Sequence, residues 1–141
     1  MEGDEIVLSQ LVRWRVRKVY TALGAGDAQP AIAAFARDAR FVFPGSHAVA
    51  ADCCGKDALA DWFRRFARLH PQFDLLDVIA AGPPWNMRVA IRFRDHIGDD
   101  YANEGTQFVR FRWGRIVFDR IYLDTQAVAK WVDEHPGQWA A

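Results

Sequence analysis

Residues 103–125 read NEGTQFVRFRWGRIVFDRIYLDT. Apolar and polar residues alternate on both sides of Trp113-Gly114, which predicts two long strands joined by a tight turn. The turn decides which residues share a face. A two-residue loop, Trp113-Gly114, requires positive φ at Trp113, which a bulky side chain resists. A three-residue loop, Arg112-Trp113-Gly114, asks this of Gly114 alone, and glycine adopts it without penalty. On that loop Phe111 faces Arg115, Val109 faces Val117, Gln107 faces Asp119, Gly105 faces Ile121 and Asn103 faces Leu123. One face then carries Asn103, Gly105, Gln107, Val109, Phe111, Val117, Asp119, Ile121 and Leu123, an apolar surface with one amide beside one carboxylate. It is suited to lining an enclosed space. The other carries Glu104, Thr106, Phe108, Arg110, Arg112, Ile116, Phe118, Arg120 and Tyr122, aromatic and basic, suited to being covered by a second subunit. A slip of one residue would exchange the two faces.

Outward from the hairpin, the chain alternates between two periods. Leu8, Val12, Val16, Val19, Tyr20 and Leu23 recur at helical spacing and predict a helix over 4–23, with Glu2, Asp4 and Glu5 at the end where the macrodipole favours acids. Gly24-Ala25-Gly26 ends it, and Asp27 is placed to cap a short helix to about Ala36, with Pro30 in its first turn and Ile32 and Phe35 inward. Residues 39–43 read as a strand stopped by Pro44-Gly45, and 46–55 as a loop. Leu59, Trp62, Phe63 and Phe66 give a third helix over 57–69 a broad apolar face. Residues 73–81 and 86–95 read as strands; in the second, Met87, Val89, Ile91 and Phe93 alternate with Arg88, Ala90, Arg92 and Arg94. Thr125 is placed to cap a last short helix carrying Val128, Trp131 and Val132. Helices first and a run of consecutive strands after them predict an α+β fold: a curved antiparallel sheet, three helices closing a cone-shaped pocket on one face, and a short C-terminal helix.

Composition narrows the function classes. The 141 residues suit a single domain with a real core, and 51% hydrophobic against 26% charged residues argues against disorder. Lys plus Arg and Asp plus Glu are 18 each, so net charge gives no general pull toward nucleic acid or an anionic membrane. The acidic start MEGDEIVLSQ lacks the basic and apolar regions of a signal peptide, no apolar run approaches a membrane span, and the expected location is cytoplasmic. The only cysteines, Cys53 and Cys54, are neighbours that close a strained loop if bridged, so free thiols are expected. No set of metal ligands at suitable spacing accompanies them, and no metal or other cofactor is expected.

The order of elements, with FARDARFVFPG after the second helix, GPPW before a strand and FVRFRWGRIVFDRIYLD near the end, resembles the nuclear transport factor 2-like superfamily. Within it, the SnoaL-like branch of polyketide cyclases is the most similar. The resemblance covers nearly the whole chain and implies an apolar pocket between the concave sheet face and the first three helices, with dimerisation through the outer face. It also implies catalytic positions that this chain fills differently. The ketosteroid isomerase base, an Asp directly before the Pro that ends the first strand, falls at Phe43. The Arg-x-Asp and partner Asp of the limonene epoxide hydrolases fall at Arg88-Val89-Ala90 and Ile121, and the Asp and His of the SnoaL-type cyclases at Ile121 and Gln107.

Asp119 is the one carboxylate that the derived register points inward, with Gln107 across from it. An acid in an apolar pocket has its pKa raised by desolvation and can serve as acid or base near neutrality; the competing reading is a structural acid satisfied by Gln107 or a tyrosine. His47, after the first strand, is a candidate proton-transfer group or ligand contact at the pocket mouth, against the plainer reading of a surface histidine. Tyr20, Trp14, Trp62, Phe43 and Ile121 are candidates for the lining, and Asn103 either contacts a ligand or ends a turn. Two functions follow. One is a cofactor-independent enzyme for proton transfer, cyclisation or isomerisation of a small hydrophobic, oxygenated molecule, with Asp119 as acid/base. The other is a non-catalytic module that holds such a molecule. The partner surface expected in either case is a homodimer interface at Phe108, Phe118 and Tyr122; Arg110, Arg112, Arg115 and Arg120 stand among aromatics, which suits a subunit interface better than nucleic acid.

Overall fold

The computed structural model describes residues 2–140; the side chains of Glu2, Asp4, Glu5 and Ile6 lie outside the described set, and with them the expected acidic start of the first helix. The chain runs α1 (Glu2–Gly24), α2 (Gln29–Ala34), β1 (Phe35–Phe43), β2 (Ala51–Cys54), α3 (Lys56–Ala67), β3 (Gln72–Ala81), β4 (Met87–Ile97), β5 (Tyr101–Arg112), β6 (Arg115–Leu123) and α4 (Thr125–Glu134). The strands form one six-stranded sheet in the order β2-β1-β6-β5-β4-β3. β3 through β6 form an antiparallel meander, β2 pairs antiparallel with β1, and β1 meets β6 in the sheet's single parallel seam. The sheet is curved and open, with α1, α2 and α3 against its concave face: the α+β architecture read from the element order.

The hairpin differs from the derived register in two compensating ways. The turn is the two-residue loop: Trp113 (φ 51°) and Gly114 (φ 78°) both take positive φ, and Arg112 pairs with Arg115. Contacts from elsewhere hold Trp113 there. Its N–H donates to the Pro84 carbonyl (2.9 Å), its ring meets Trp85 at 5.9 Å, and Arg15 Nη2 donates to the Gly114 carbonyl (3.0 Å). This change alone would turn every β6 side chain over. A bulge between Arg110/Phe111 and their β6 partners then takes up one residue at Val117, so Arg110 pairs with Phe118, Val109 with Asp119 and Gln107 with Ile121. Beyond the bulge the expected faces return. Before it they do not, and Ile116, expected outside, is buried inside.

Three boundaries also shift. Phe35, expected in α2, is the first residue of β1, and α2 is only six residues long. The expected loop at 46–55 contains β2, an edge strand pinned by a two-pronged contact from Arg40 to Asp52 (Nε–Oδ1 2.9 Å, Nη2–Oδ2 2.8 Å). Helix α4 is capped by Asp124 rather than Thr125: Asp124 has extended backbone, and its Oδ1 accepts from the Gln126 and Ala127 N–H groups. The core joins the stripe of α1 (Val12, Leu23) and the face of α3 (Leu59, Trp62, Phe63) to Phe35, Phe41, Val89, Ile91, Val109 and Phe111 of the sheet.

Candidate functional site

Between the concave sheet face and the three helices lies a cavity of about 400 Å³. Strand alternation fills its walls: Ile91, Phe93 and Asp95 from β4, Gln107, Val109 and Phe111 from β5, and Ile116, Asp119, Ile121 and Leu123 from β6. Gly105 leaves room on this face. A Cβ there would stand 2.9 Å from the Phe93 ring, so its absence lets that ring lie across β5. The helices supply Trp14, Tyr20 and Leu23 from α1 and Trp62, Phe63 and Phe66 from α3. Trp14 is 55% exposed and yet part of the lining, so the cavity reaches the surface along α1, where Arg15 and Lys18 also contribute; the Lys18 ammonium lies over the Trp14 ring at 4.2 Å.

The polar groups inside form a short chain. The Tyr20 hydroxyl donates to Gln107 Oε1 (3.3 Å), and Gln107 Nε2 donates to Asp119 Oδ2 (2.7 Å). Gln107 reaches Asp119 diagonally across the β5–β6 ladder rather than from directly opposite. Asp119 is 1% exposed, and its other oxygen, Oδ1, is buried without a partner. Burial pushes the Asp119 carboxyl up to about 7, against the smaller opposing effect of the Gln107 donor. Tyr20 is pushed far above the ordinary tyrosine value by burial first, then by the nearby Asp119 and Asp95 carboxylates, so it stays a neutral donor. A carboxyl raised toward neutrality in the lining of a mostly apolar cavity, with one oxygen unpartnered, can both remove and return a proton.

The structure brings together Asp119, Gln107, Tyr20, Trp14, Trp62, Phe43 and Ile121, all in the lining. Trp62 is anchored there by its Nε1 donating to the Val49 carbonyl (2.9 Å), and Phe43 packs on it at 5.2 Å. Two expected residues stand elsewhere. His47 is outside the cavity lining, its ring edge-on to Phe43 at 6.0 Å, and both ring nitrogens are buried without partners. Burial lowers its pKa, so it stays neutral at pH 7; the Pro44 carbonyl opposes this without reaching hydrogen-bond geometry. Asn103 takes the second of its two readings. Its amide donates to the Tyr101 hydroxyl and the Asp124 carbonyl (3.0 Å each), and its oxygen accepts from the Glu104 and Asp124 N–H groups, so it ties the end of β6 to the cap of α4. Asp95 is the lining residue that the sequence reading passed over. The signal was present: Met87, Val89, Ile91 and Phe93 set an inward parity, and Asp95 is its next member. Among the described residues no group of three or more His, Cys, Asp or Glu is placed to hold a metal ion, and no helix is long and apolar enough to cross a membrane.

A curved, unclosed sheet wrapped around an apolar cavity behind three helices is the nuclear transport factor 2-like fold. The chain belongs to the SnoaL-like domain family, whose model matches residues 16–118. Among solved structures it is similar to Bal32a from a soil-derived mobile gene cassette (TM-score 0.66, 21% identity, covering 86% of this chain and 96% of that one). It is also similar to an NTF2-like protein of unknown function from Mesorhizobium loti (0.64, 22%, 82% and 93%) and to a steroid delta-isomerase from Pseudomonas aeruginosa (0.62, 15%, 91% and 88%). At these identities the likeness is one of fold. No curated protein matches the chain significantly.

Proposed function

We propose that this protein takes a small hydrophobic, oxygenated molecule into the cavity and moves a proton on it, with Asp119 as acid/base, in an isomerisation or cyclisation that needs no cofactor. The observation that carries this reading is a fully buried carboxyl in the lining of a mostly apolar cavity, with one of its oxygens, Oδ1, left without a hydrogen-bond partner. Gln107, held by Tyr20, fixes the other oxygen and so the direction in which the free one points. The apolar walls bind the skeleton of the molecule and exclude water, which keeps the carboxyl near its balance point. A steroid delta-isomerase among the structural neighbours works within the same fold.

A second reading, non-catalytic holding of the same kind of molecule, draws on Phe43. This buried ring fills the place before Pro44 where the isomerases carry their base. Exchange of the α-protons of an enolisable hydrophobic ketone into D₂O, followed by proton NMR, separates the two. The enzyme reading expects acceleration by the native protein and none by Asp119→Asn with ketone binding retained. Binding without acceleration by the native protein would leave only the holding function.

A further inference from the structure

Asp95 stands at the other end of the same cavity, and nothing in the proton-transfer reading uses it. It is 6% exposed, yet its Oδ1 has no hydrogen-bond partner. A buried acid kept for structure is paired, because an unpaired one costs more than the apolar residue that could replace it. Its surroundings are aromatic. Phe93 precedes it by one inward step on β4, Phe73 is its cross-strand partner on β3, and Tyr20 stacks on Phe73 at 4.3 Å and meets Phe93 edge-on at 6.5 Å. Among the described residues the basic side chains in the lining are Arg15 and Lys18, both from α1. Lys18 lies over the Trp14 ring, and Arg15 over the Phe111 ring at 5.7 Å, at the far end of β5 from the residue paired with Asp95.

We infer that the Asp95 end of the cavity receives an ammonium group, so that the hydrophobic, oxygenated ligand also carries an amine, with its apolar body along the aromatic wall toward Asp119. A carboxylate beside aromatic rings is the chemistry that recognises ammonium ions. A cation also supplies the partner that Asp95 Oδ1 lacks, the carboxyl's backbone hydrogen bond leaving that oxygen unpaired, whereas an anionic ligand would meet two like charges. The inference rests on the cavity being a ligand site, as proposed above, and names the class of ligand.

Titration calorimetry with 2-phenylethylamine and its neutral isostere 2-phenylethanol tests it. At pH 8 the amine is protonated and Asp95, which burial raises to about 7, is mostly ionised. The amine should bind at least about tenfold tighter than the alcohol. The advantage should shrink at pH 5.5 as Asp95 takes up its proton. The titratable groups near Asp95 are Tyr20 on α1 and Tyr101 on β5. Both tyrosines have raised values and stay neutral throughout; Asp119 shares the window, and Asp119→Asn isolates it. Asp95→Asn should abolish the preference for the amine, bringing the amine-to-alcohol affinity ratio to about one, while Asp119→Asn keeps the preference. If Asp95→Asn does not fold, the native amine-to-alcohol ratio and its loss at pH 5.5 decide. Equal affinities, or a preference that survives Asp95→Asn, overturn the inference and leave the cavity reading standing. Failure of both probes to bind overturns the inference and the ligand-site reading together.

Discussion

Replacing Asp119 by Asn should stabilise the protein at pH 8 and destabilise it at pH 4. Burial pushes the native carboxyl up to about 7 from the ordinary value of 3.8 that the unfolded chain keeps. A raised carboxyl pKa means that the folded state holds its proton while the unfolded state has lost it. Stability is therefore intact below the unfolded pKa and falls as pH rises toward the folded one. At about 1.4 kcal/mol per unit, the loss is on the order of 4 kcal/mol once pH exceeds 7. Asn removes that loss. Its amide oxygen can still accept from Gln107 Nε2, but its own NH₂ enters the cavity without a partner, at a cost of about 1–3 kcal/mol. The net is a gain on the order of 1–3 kcal/mol at pH 8 and a loss of similar size at pH 4, with the two stability curves crossing between about pH 4.5 and 6. Asp95, also raised to about 7, contributes its own slope equally to both proteins and cancels from the difference. Urea denaturation followed by tryptophan fluorescence from pH 4 to pH 8 measures it. A variant weaker than the native protein at every pH, by a constant amount, would show Asp119 to be an ionised structural anchor and would refute the reasoning.

Removing the cap of α4 by Asp124→Ala should cost about 1 kcal/mol in the same denaturation assay, whereas Thr125→Ala should cost only a few tenths. A homodimer through the outer sheet face is expected from Phe108, Phe118 and the half-exposed Tyr122, with Phe108 now opposite Arg120 and Phe118 opposite Arg110. Light scattering at micromolar concentration should give twice the chain mass for the native protein and a single chain for Phe118→Glu, and a monomeric native protein would count against the interface. Cys53 and Cys54 are free thiols at the sheet edge, so changing both to Ser should shift stability by less than about 1 kcal/mol and leave ligand binding unchanged.

The inward placement of Asp119 was legible in the sequence for a reason that only the structure displays. Positive φ at Trp113 was rejected on local sterics, yet Pro84, Trp85 and Arg15, all distant in sequence, hold it there. That turn inverts the face, and the bulge at Val117 inverts it again. The parity at Gln107 and Asp119 survived because two irregularities cancelled, while Ile116, lying between them, changed sides. Neither is encoded in local alternation. The edge strand at Ala51–Cys54 escaped notice because four small or polar residues carry no period, and its identity rests on Arg40 across the ladder. Asp95, by contrast, could have been read: its parity on β4 was already fixed by the four apolar residues before it. Helical stripes reported the architecture well because they depend on neighbours three and four residues away, whereas the caps expected at Asp27 and Thr125 fall at Ala28 and Asp124. The role of Asn103 depends on Tyr101 and Asp124 together, and no spacing rule distinguishes it from a ligand contact.

Everything proposed for the cavity turns on burial raising the Asp119 carboxyl to about 7. Carbon-detected NMR titration of that carboxyl, assigned by comparison with Asp119→Asn, measures the shift directly. The expected midpoint is near 7, about three units above the ordinary aspartate value. A midpoint at or below the ordinary aspartate value of 3.8 would contradict it, because the carboxyl would then be a fixed anion with no proton to exchange at neutral pH.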